Sequence, residues 1–177
     1  MKIVPFLVLL IMLQTTLTIF NFTSNSNIDQ WQVVNDGVMG GRSQGNFTIN
    51  EEGHGLFQGY VSLENNGGFS LVQHRFKTLD ATGYSTIVIK LKGDGKEYQV
   101  RVKKDKYDYY SYARNIATTG KWQTIEVPFD KMIPQFRGRQ LNMPQFTGEQ
   151  LEEIAILIGN KRAENFALQI ASISLKQ

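Results

Sequence analysis

The stretch TIVIKLKGDGKEYQVRVK, residues 86–103, decides the fold class of this chain. Apolar side chains occupy every second position on both sides of its GDG turn: Ile87, Ile89 and Leu91 before it, and Tyr98, Val100 and Val102 after it. Successive side chains of a β-strand point to opposite faces, so each half predicts a strand with one buried and one solvated face.

The same alternation recurs along the chain. It is clear at 125–129, and further strands are predicted at 46–50, 56–64, 69–76, 154–159 and 166–175. Eight or more short strands separated by turn sequences predict an all-β sandwich or barrel. In the last strand the apolar positions change parity between Ile170 and Ile173, which predicts a bulge or bend near Ala171.

We expect little helix. The one plausible helical turn is TGEQLEEI, residues 147–154, in which Thr147 and Gln150 have the spacing of a capping box.

Composition places the chain among globular single-domain proteins. It has 177 residues, 41% of them hydrophobic, no cysteine and a net charge of +3. The positive charge is spread without long runs, so a nucleic-acid partner is not predicted. The basic segment 101–114 is interpreted as a solvated strand face that runs into a polar loop.

The N-terminus has the layout of a secretory signal. Lys2 precedes an apolar run from Ile3 to Leu13, which predicts that residues 1–20 are a signal peptide and that the protein is exported to the periplasm or beyond the cell. An uncleaved membrane anchor is the alternative, and it would be the only membrane contact. Residues 21–30 are predicted to be a linker, and residues 31–177 a single domain.

The loop NDGVMGGRSQG, residues 35–45, contains four glycines but matches neither a dinucleotide fingerprint nor a P-loop. A turn with positive φ at Gly40 or Gly41 explains these glycines without a ligand. We expect Met39 to point inward, with Asp36 and Arg42 as polar anchors of the loop.

No catalytic or metal centre is evident from the sequence. His54 and His74 lack partners at ligand spacing, which argues against a transition metal, and no cofactor motif is found. Two alternatives stay open: calcium held by oxygens of the NDG, ENNGG and GDG turns, and an Asp36–Asp94 pair facing each other across a hydrolytic cleft.

Aromatic side chains offer another candidate site. In KYDYYSYA, residues 106–113, the tyrosines suit either a stacking platform for sugar rings or packing at a sheet edge. For Trp31 and Trp122 we expect packing.

Four longer stretches carry a family resemblance. WQVVNDGVMGGRSQGNF (31–47), GYVSLENNGGFSLVQHRF (59–76), VIKLKGDGKEYQVRV (88–102) and WQTIEVPFDKMIPQFRGR (122–139), in this order, closely resemble the complex I intermediate-associated protein 30 family. The resemblance implies a galactose-binding-domain-like β-sandwich, a jelly roll. It also implies a non-enzymatic role, because mitochondrial members assist assembly of respiratory complex I by binding protein. The signal-like N-terminus predicts a bacterial, exported member.

The same motifs supply the candidate binding residues. They are Asn35, Asp36, Arg42, Ser43, Asn65, Asn66, Asp94, Arg137 and Arg139, to which the tyrosine cluster adds Tyr109 and Tyr110. We expect these groups at strand ends, where they either hold loops together by charge-assisted hydrogen bonds or form a recognition surface. The expected partner is a protein, with a carbohydrate as the alternative.

Overall fold

The structure, a computed structural model, describes residues 15–177, except for the side chains of residues 38 and 39. The expectations for the apolar run at 3–13 and for Met39 therefore lie outside the described residues. Within them the chain forms the strands β1 (Thr16–Asn21), β2 (Trp31–Asn35), β3 (Gln44–Ile49), β4 (Gly55–Val61), β5 (Ser70–Asp80), β6 (Thr86–Lys92), β7 (Glu97–Lys103), β8 (Ser111–Ala117), β9 (Trp122–Pro128), β10 (Ile133–Phe136), β11 (Arg139–Gln140), β12 (Gln150–Ile158) and β13 (Glu164–Lys176). Short 3-10 helices cover Asp36–Met39, Glu64–Asn66 and Phe129–Lys131.

The strands form two antiparallel sheets. The six-stranded sheet has the order β3-β4-β13-β6-β9, with β1 also paired to β13, and the seven-stranded sheet has the order β11-β10-β8-β7-β12-β5-β2. Their inner faces bury one hydrophobic core. The predicted all-β sandwich is confirmed.

The stretch at 86–103 joins the two sheets. β6 belongs to the six-stranded sheet and β7 to the seven-stranded sheet, so the GDG turn carries the chain across the sandwich. The alternating apolar residues of both strands are buried in the core between the sheets. Asp94 fastens this turn, because its carboxylate accepts hydrogen bonds from the Lys96 ammonium at 2.7 Å, the Tyr98 hydroxyl at 3.1 Å and the Ala167 amide at 3.0 Å.

The bulge predicted near Ala171 is present. The pairing of β13 with β6 shifts register between Ile170 and Ser172, and Ile170 and Ile173 are both fully buried on either side of it. The extra residue restores the inward direction of the apolar side chains.

The helix predicted at 147–154 is wrong, because residues 150–158 form strand β12 in the middle of a sheet. The pairing of β12 with β5 shifts register between Leu151 and Glu153. This irregularity lets Leu151 and Ile154, three residues apart, both be buried, which imitates helical spacing. The Thr147 hydroxyl donates to the Glu149 carboxylate at 2.6 Å and caps no helix.

The sandwich begins earlier than the boundary expected at residue 31. Strand β1 pairs with β13, and the Phe22 amide donates to the Ala171 carbonyl at 2.9 Å. Phe22 is buried against Trp31, which packs in the core as expected. Residues 16–22 are therefore part of the fold in this structure. Among residues 15–177 the longest helices are single 3-10 turns, far too short to cross a bilayer.

Candidate functional site

Asp36 holds the glycine-rich loop to its neighbour. Its side chain is buried; Oδ1 accepts the Ser43 amide at 3.0 Å, and Oδ2 accepts the Ser43 hydroxyl at 2.5 Å and the Gly68 amide at 2.6 Å. Burial alone would raise the pKa of Asp36, but the hydrogen bonds from Ser43, Gly68 and Phe69 lower it on balance. Protein donors thus occupy both carboxylate oxygens.

The asparagines of the same two motifs complete this contact between loops. Asn35 accepts hydrogen bonds from the Gly45 amide at 3.0 Å and the Ser70 hydroxyl at 2.7 Å. Asn65, which has a positive φ of 54°, donates its side-chain amide to the Gly40 carbonyl at 2.9 Å. Asn66 lies beside it with φ 59°. The Asn35 and Asn65 side chains thus hold two loops in place.

Arg42 makes a weaker contact in the same region. Its guanidinium lies 2.9 Å from the Glu64 carboxylate, and both side chains are mostly exposed. An exposed ion pair contributes little to stability, so Arg42 is a lesser anchor than Asp36.

The two alternatives based on aspartates find no support. Asp36 and Asp94 share no hydrogen-bond donor: Ser43 and Gly68 donate to Asp36, whereas Lys96, Tyr98 and Ala167 donate to Asp94. Within residues 15–177 there is no group of three or more acidic or histidine side chains arranged to hold a metal ion.

A cleft of about 780 Å³ lies on the outer face of the seven-stranded sheet. It crosses six adjacent strands, from β10 through β8, β7, β12 and β5 to β2. Its polar lining includes Gln73, Gln99, Arg101, Ser111, Asn115 and Gln135. Its apolar lining includes Val34, Phe69, Leu71, Leu157, Tyr109 and Phe136.

The cross-strand register explains the depth of the cleft. Ala155 lies between Gln73 and Arg101, and Arg101 lies between Ala155 and Ala113. Neighbouring side chains on one sheet face stand about 5 Å apart, so the two alanines leave the long side chains without tall neighbours. The long polar side chains therefore frame a low floor.

Polar side chains on this floor are linked to one another. The Gln99 amide donates to Asn115 at 2.9 Å and to Gln135 at 3.3 Å, and it accepts a hydrogen bond from Arg101 at 3.0 Å. This network fixes the positions of side chains from β7, β8 and β10.

Glu153 is a buried carboxylate at the base of the cleft. Arg75 donates to it at 2.7 Å, and the Lys103 ammonium lies 3.8 Å away. Burial lowers the pKa of Arg101, and the charge of Glu153 opposes that shift. The guanidinium nevertheless remains cationic at neutral pH.

The aromatic side chains form one rim. Tyr109 is exposed and meets Phe136 edge to face, with ring centroids 5.3 Å apart, while the Arg137 guanidinium lies 5.3 Å from the Phe136 centroid. Tyr110 turns away from the cleft and packs against Tyr112. Burial and its contact with Tyr112 raise the pKa of Tyr110 to about 12.

The structure thus separates the sequence-predicted site residues into groups. Asn35, Asp36, Arg42, Ser43, Asn65 and Asn66 meet at one pair of loops, and Asp94 holds another turn. Tyr109 and Arg137 line the cleft, and Arg139 lies exposed in β11 next to it. The floor residues carry no sequence motif, because along β7 the side chains of Gln99 and Arg101 have the pattern of an ordinary solvated strand face. The sequence feature that points to this floor is Glu153, a charged residue at the edge of the apolar run of β12.

A two-sheet sandwich with a polar and aromatic cleft across one sheet has the architecture of a binding module. The family model of complex I intermediate-associated protein 30 (CIA30) matches residues 20–170. The chain therefore belongs to the complex I intermediate-associated protein 30 family.

Two curated relatives and one solved structure define its similarity further. The mitochondrial complex I intermediate-associated protein 30 of Drosophila melanogaster is 28% identical over 68% of this chain and 48% of its own length. Its namesake of Mus musculus is 21% identical over 93% of this chain and 57% of its own length. The chain thus spans about half the length of these relatives. The family 11 carbohydrate-binding module of Clostridium thermocellum, solved with a mixed-linked tetrasaccharide, superposes with a TM-score of 0.65 at 14% identity, covering 90% of this chain and 94% of that one. The similarity to this carbohydrate-binding module shows that the two chains share a fold.

Proposed function

We propose that this chain is a non-enzymatic protein-binding module that holds an extended segment of a partner polypeptide in the cleft of the seven-stranded sheet. The length of the cleft is the observation that supports this proposal. Six strands at about 4.8 Å each span about 24 Å, the length of about seven extended residues.

The chemistry of the cleft suits a polypeptide backbone. Gln73 and Gln135 line the cleft with amides of the kind that both donates and accepts, as does every peptide unit of a bound segment. Leu71 and Leu157 offer apolar contacts for its side chains. A bound strand can therefore satisfy its backbone polar groups while burying apolar surface.

Family membership supports the same proposal. The curated relatives carry in their names an association with an intermediate of complex I. We propose a role of this kind, in which the module binds a component of an unfinished membrane complex. Because the chain spans only about half of each relative, their whole activity does not transfer with the fold.

Site-specific photo-crosslinking in cells tests the proposal. A crosslinking residue at Gln99, in the cleft, is expected to form an adduct with a defined polypeptide, and mass spectrometry identifies the crosslinked peptide. The matched position is Gln58, which is exposed on the outer face of the six-stranded sheet. Equal adducts from both positions, or none from Gln99, would count against a protein-binding cleft.

A carbohydrate is the second candidate. The exposed Tyr109 ring at the rim and the similarity to a carbohydrate-binding module solved with a tetrasaccharide favour it. Against it, Phe136 already has Arg137 over its ring and an edge-to-face contact with Tyr109, so this second rim ring is not free for stacking. Calorimetric titration with the mixed-linked tetrasaccharide at millimolar concentration tests whether the cleft binds a carbohydrate. Heat of binding that disappears in Tyr109→Ala would favour the sugar.

For localisation, we propose export, supported by Lys2 and the apolar run that follows it. Cleavage after residue 20 would remove most of β1, so we expect the mature chain to begin before Thr16 or to keep its leader. N-terminal sequencing of the protein from its cells distinguishes these forms from a chain that begins after residue 20.

A further inference from the structure

The cleft carries an excess of positive charge. Four cationic side chains line it, Arg101, Lys103, Arg137 and Lys161, against the single carboxylate of Glu153 among the described lining residues. Such a field attracts an anionic ligand and repels a cationic one.

Glu153 is already neutralised from within. Arg75 donates to one of its oxygens at 2.7 Å, and Lys103 approaches the other at 3.8 Å. Lys103 also donates to the Asp108 carbonyl at 2.8 Å, so its charge is directed into the protein. This internal group leaves the positive charge of Arg101 without a paired carboxylate.

Arg101 is placed to bind a ligand. Its guanidinium has five N–H donors. Within residues 15–177 it makes one hydrogen bond, to the Gln99 side-chain oxygen at 3.0 Å. No carboxylate in that part of the chain lies within 4.0 Å of it. Its cross-strand neighbours are Ala113 and Ala155, whose methyl groups do not reach over it.

We infer that the cleft recognises an acidic polypeptide segment and that Arg101 binds a side-chain carboxylate of that segment. The inference rests on the proposed protein-binding function and names the chemistry of its partner. A planar guanidinium matches a carboxylate with two parallel hydrogen bonds. Because burial keeps water from much of Arg101, this ion pair is stronger than one on an open surface.

A peptide fits these observations better than an acidic saccharide. The Gln73 amide, which lies across Ala155 from Arg101, matches peptide groups, and the rim ring of Phe136 is covered by Arg137. Arg137 and Lys161 lie on loops at the rim, where their charges attract acidic residues that flank the bound carboxylate.

Selection from a phage-displayed library of random dodecapeptides tests the inference. The peptides enriched on the wild-type protein are expected to contain Asp or Glu, and one of them, labelled with fluorescein, is titrated against variants. Arg101→Gln is expected to raise Kd by about 10- to 100-fold, the range for hydrogen bonds to charged groups. Arg114→Gln is the matched control, expected within about twofold, since it removes the same charge from the opposite face of neighbouring strand β8.

A double-mutant cycle identifies the carboxylate. Replacing the acidic residue of the peptide by its amide should cost as much as Arg101→Gln, and combining both changes should add little. The unfolding curve of each variant is recorded, so that lost binding is scored only for folded protein.

The outcomes separate the inference from the proposed function. Enriched peptides without acidic residues, or an unchanged Kd in Arg101→Gln while Gln99→Trp abolishes binding, would overturn the inference and leave the binding cleft standing. A library that yields no peptide, or binding that ignores Gln99→Trp, would overturn both. Binding of hexagalacturonate that depends on Arg101, without any peptide, would assign the cleft to an acidic saccharide instead.

Discussion

At the scale of single residues, two glycines of the 35–45 loop face different constraints. A methyl group on Gly41 would lie far inside van der Waals contact with the Asp36 carboxylate, whereas one on Gly37 would meet nothing within 4 Å. We expect Gly41→Ala to lower the free energy of unfolding by about 1–3 kcal/mol, as overpacking does. Gly37→Ala is the matched control and should change it by less than about 1 kcal/mol. Equal effects in urea unfolding would show that the close approach to Asp36 does not matter.

Asp36 itself gives the second prediction. Asp36→Asn places an amide N–H₂ among donors, so we expect a loss of about 1–3 kcal/mol at pH 7. The folded-state pKa is lowered from 3.8, so the stabilisation is present above that value and is lost as pH falls through the folded pKa. The difference in free energy of unfolding between the wild type and Asp36→Asn should therefore be smaller at pH 3 than at pH 7. Asp130→Asn, on the exposed surface, should show neither effect.

His74 makes stability depend on pH near neutrality, at higher pH than Asp36 does. Burial lowers the pKa of His74 below 6.5, because its ring stacks on Trp31 and contacts Phe20 and Phe76. The unfolded chain thus takes up the proton first, and stability falls as pH drops through about 6.5. We expect the free energy of unfolding to decrease between pH 7.5 and pH 5.5. In His74→Gln this decrease should be smaller; an identical slope would refute the assignment.

At the scale of elements, the sequence predicted strands where one face is buried. The alternation at 86–92 and 97–103 and the parity change in β13 were interpreted correctly, because side-chain direction alone determines those patterns. The strand predicted at 154–159 is the second half of β12, whereas its first half was assigned to a helical turn because a second irregularity imitates helical spacing. β8 was missed since Ala113 and Asn115 face the cleft, where burial does not require large apolar side chains.

Strand β1 supplies the fourth prediction. It pairs with β13 and brings Phe20 and Phe22 against Trp31. A chain beginning at residue 23 loses both rings and one neighbour of β13, and losing one buried aromatic ring typically costs about 3–5 kcal/mol. We expect it to unfold at much lower urea concentration than a chain beginning at residue 15. Equal midpoints would mean that β1 is dispensable, as the predicted boundary at residue 31 implies.

At the scale of the whole molecule, sequence motifs located the anchors better than the cleft. The glycine- and asparagine-rich motifs mark loops, whose polar groups hold strands together locally. The floor of the cleft depends on the register of β5, β12, β7 and β8, which are far apart in sequence. Along any one of these strands, Gln99 and Arg101 look like an ordinary solvated face. Only the assembled sheet places two alanines beside Arg101 and creates the cleft.

The arrangement predicts that stability and binding can be separated. Asp94 lies on the turn that joins the two sheets, and Asp94→Asn weakens its hydrogen bonds from Lys96, Tyr98 and Ala167. We expect this change to lower the free energy of unfolding by about 1–3 kcal/mol. Asp94 does not line the cleft, and the folded fraction should bind the selected peptide with unchanged Kd. Gln99→Trp should weaken peptide binding and leave the free energy of unfolding nearly unchanged, because the large ring fills the floor of the solvent-exposed cleft without entering the core. Urea unfolding and fluorescence titration on the same samples measure both quantities. If Asp94→Asn weakens binding as much as Gln99→Trp does, anchor and cleft form one coupled unit and the division between scaffold and site is wrong.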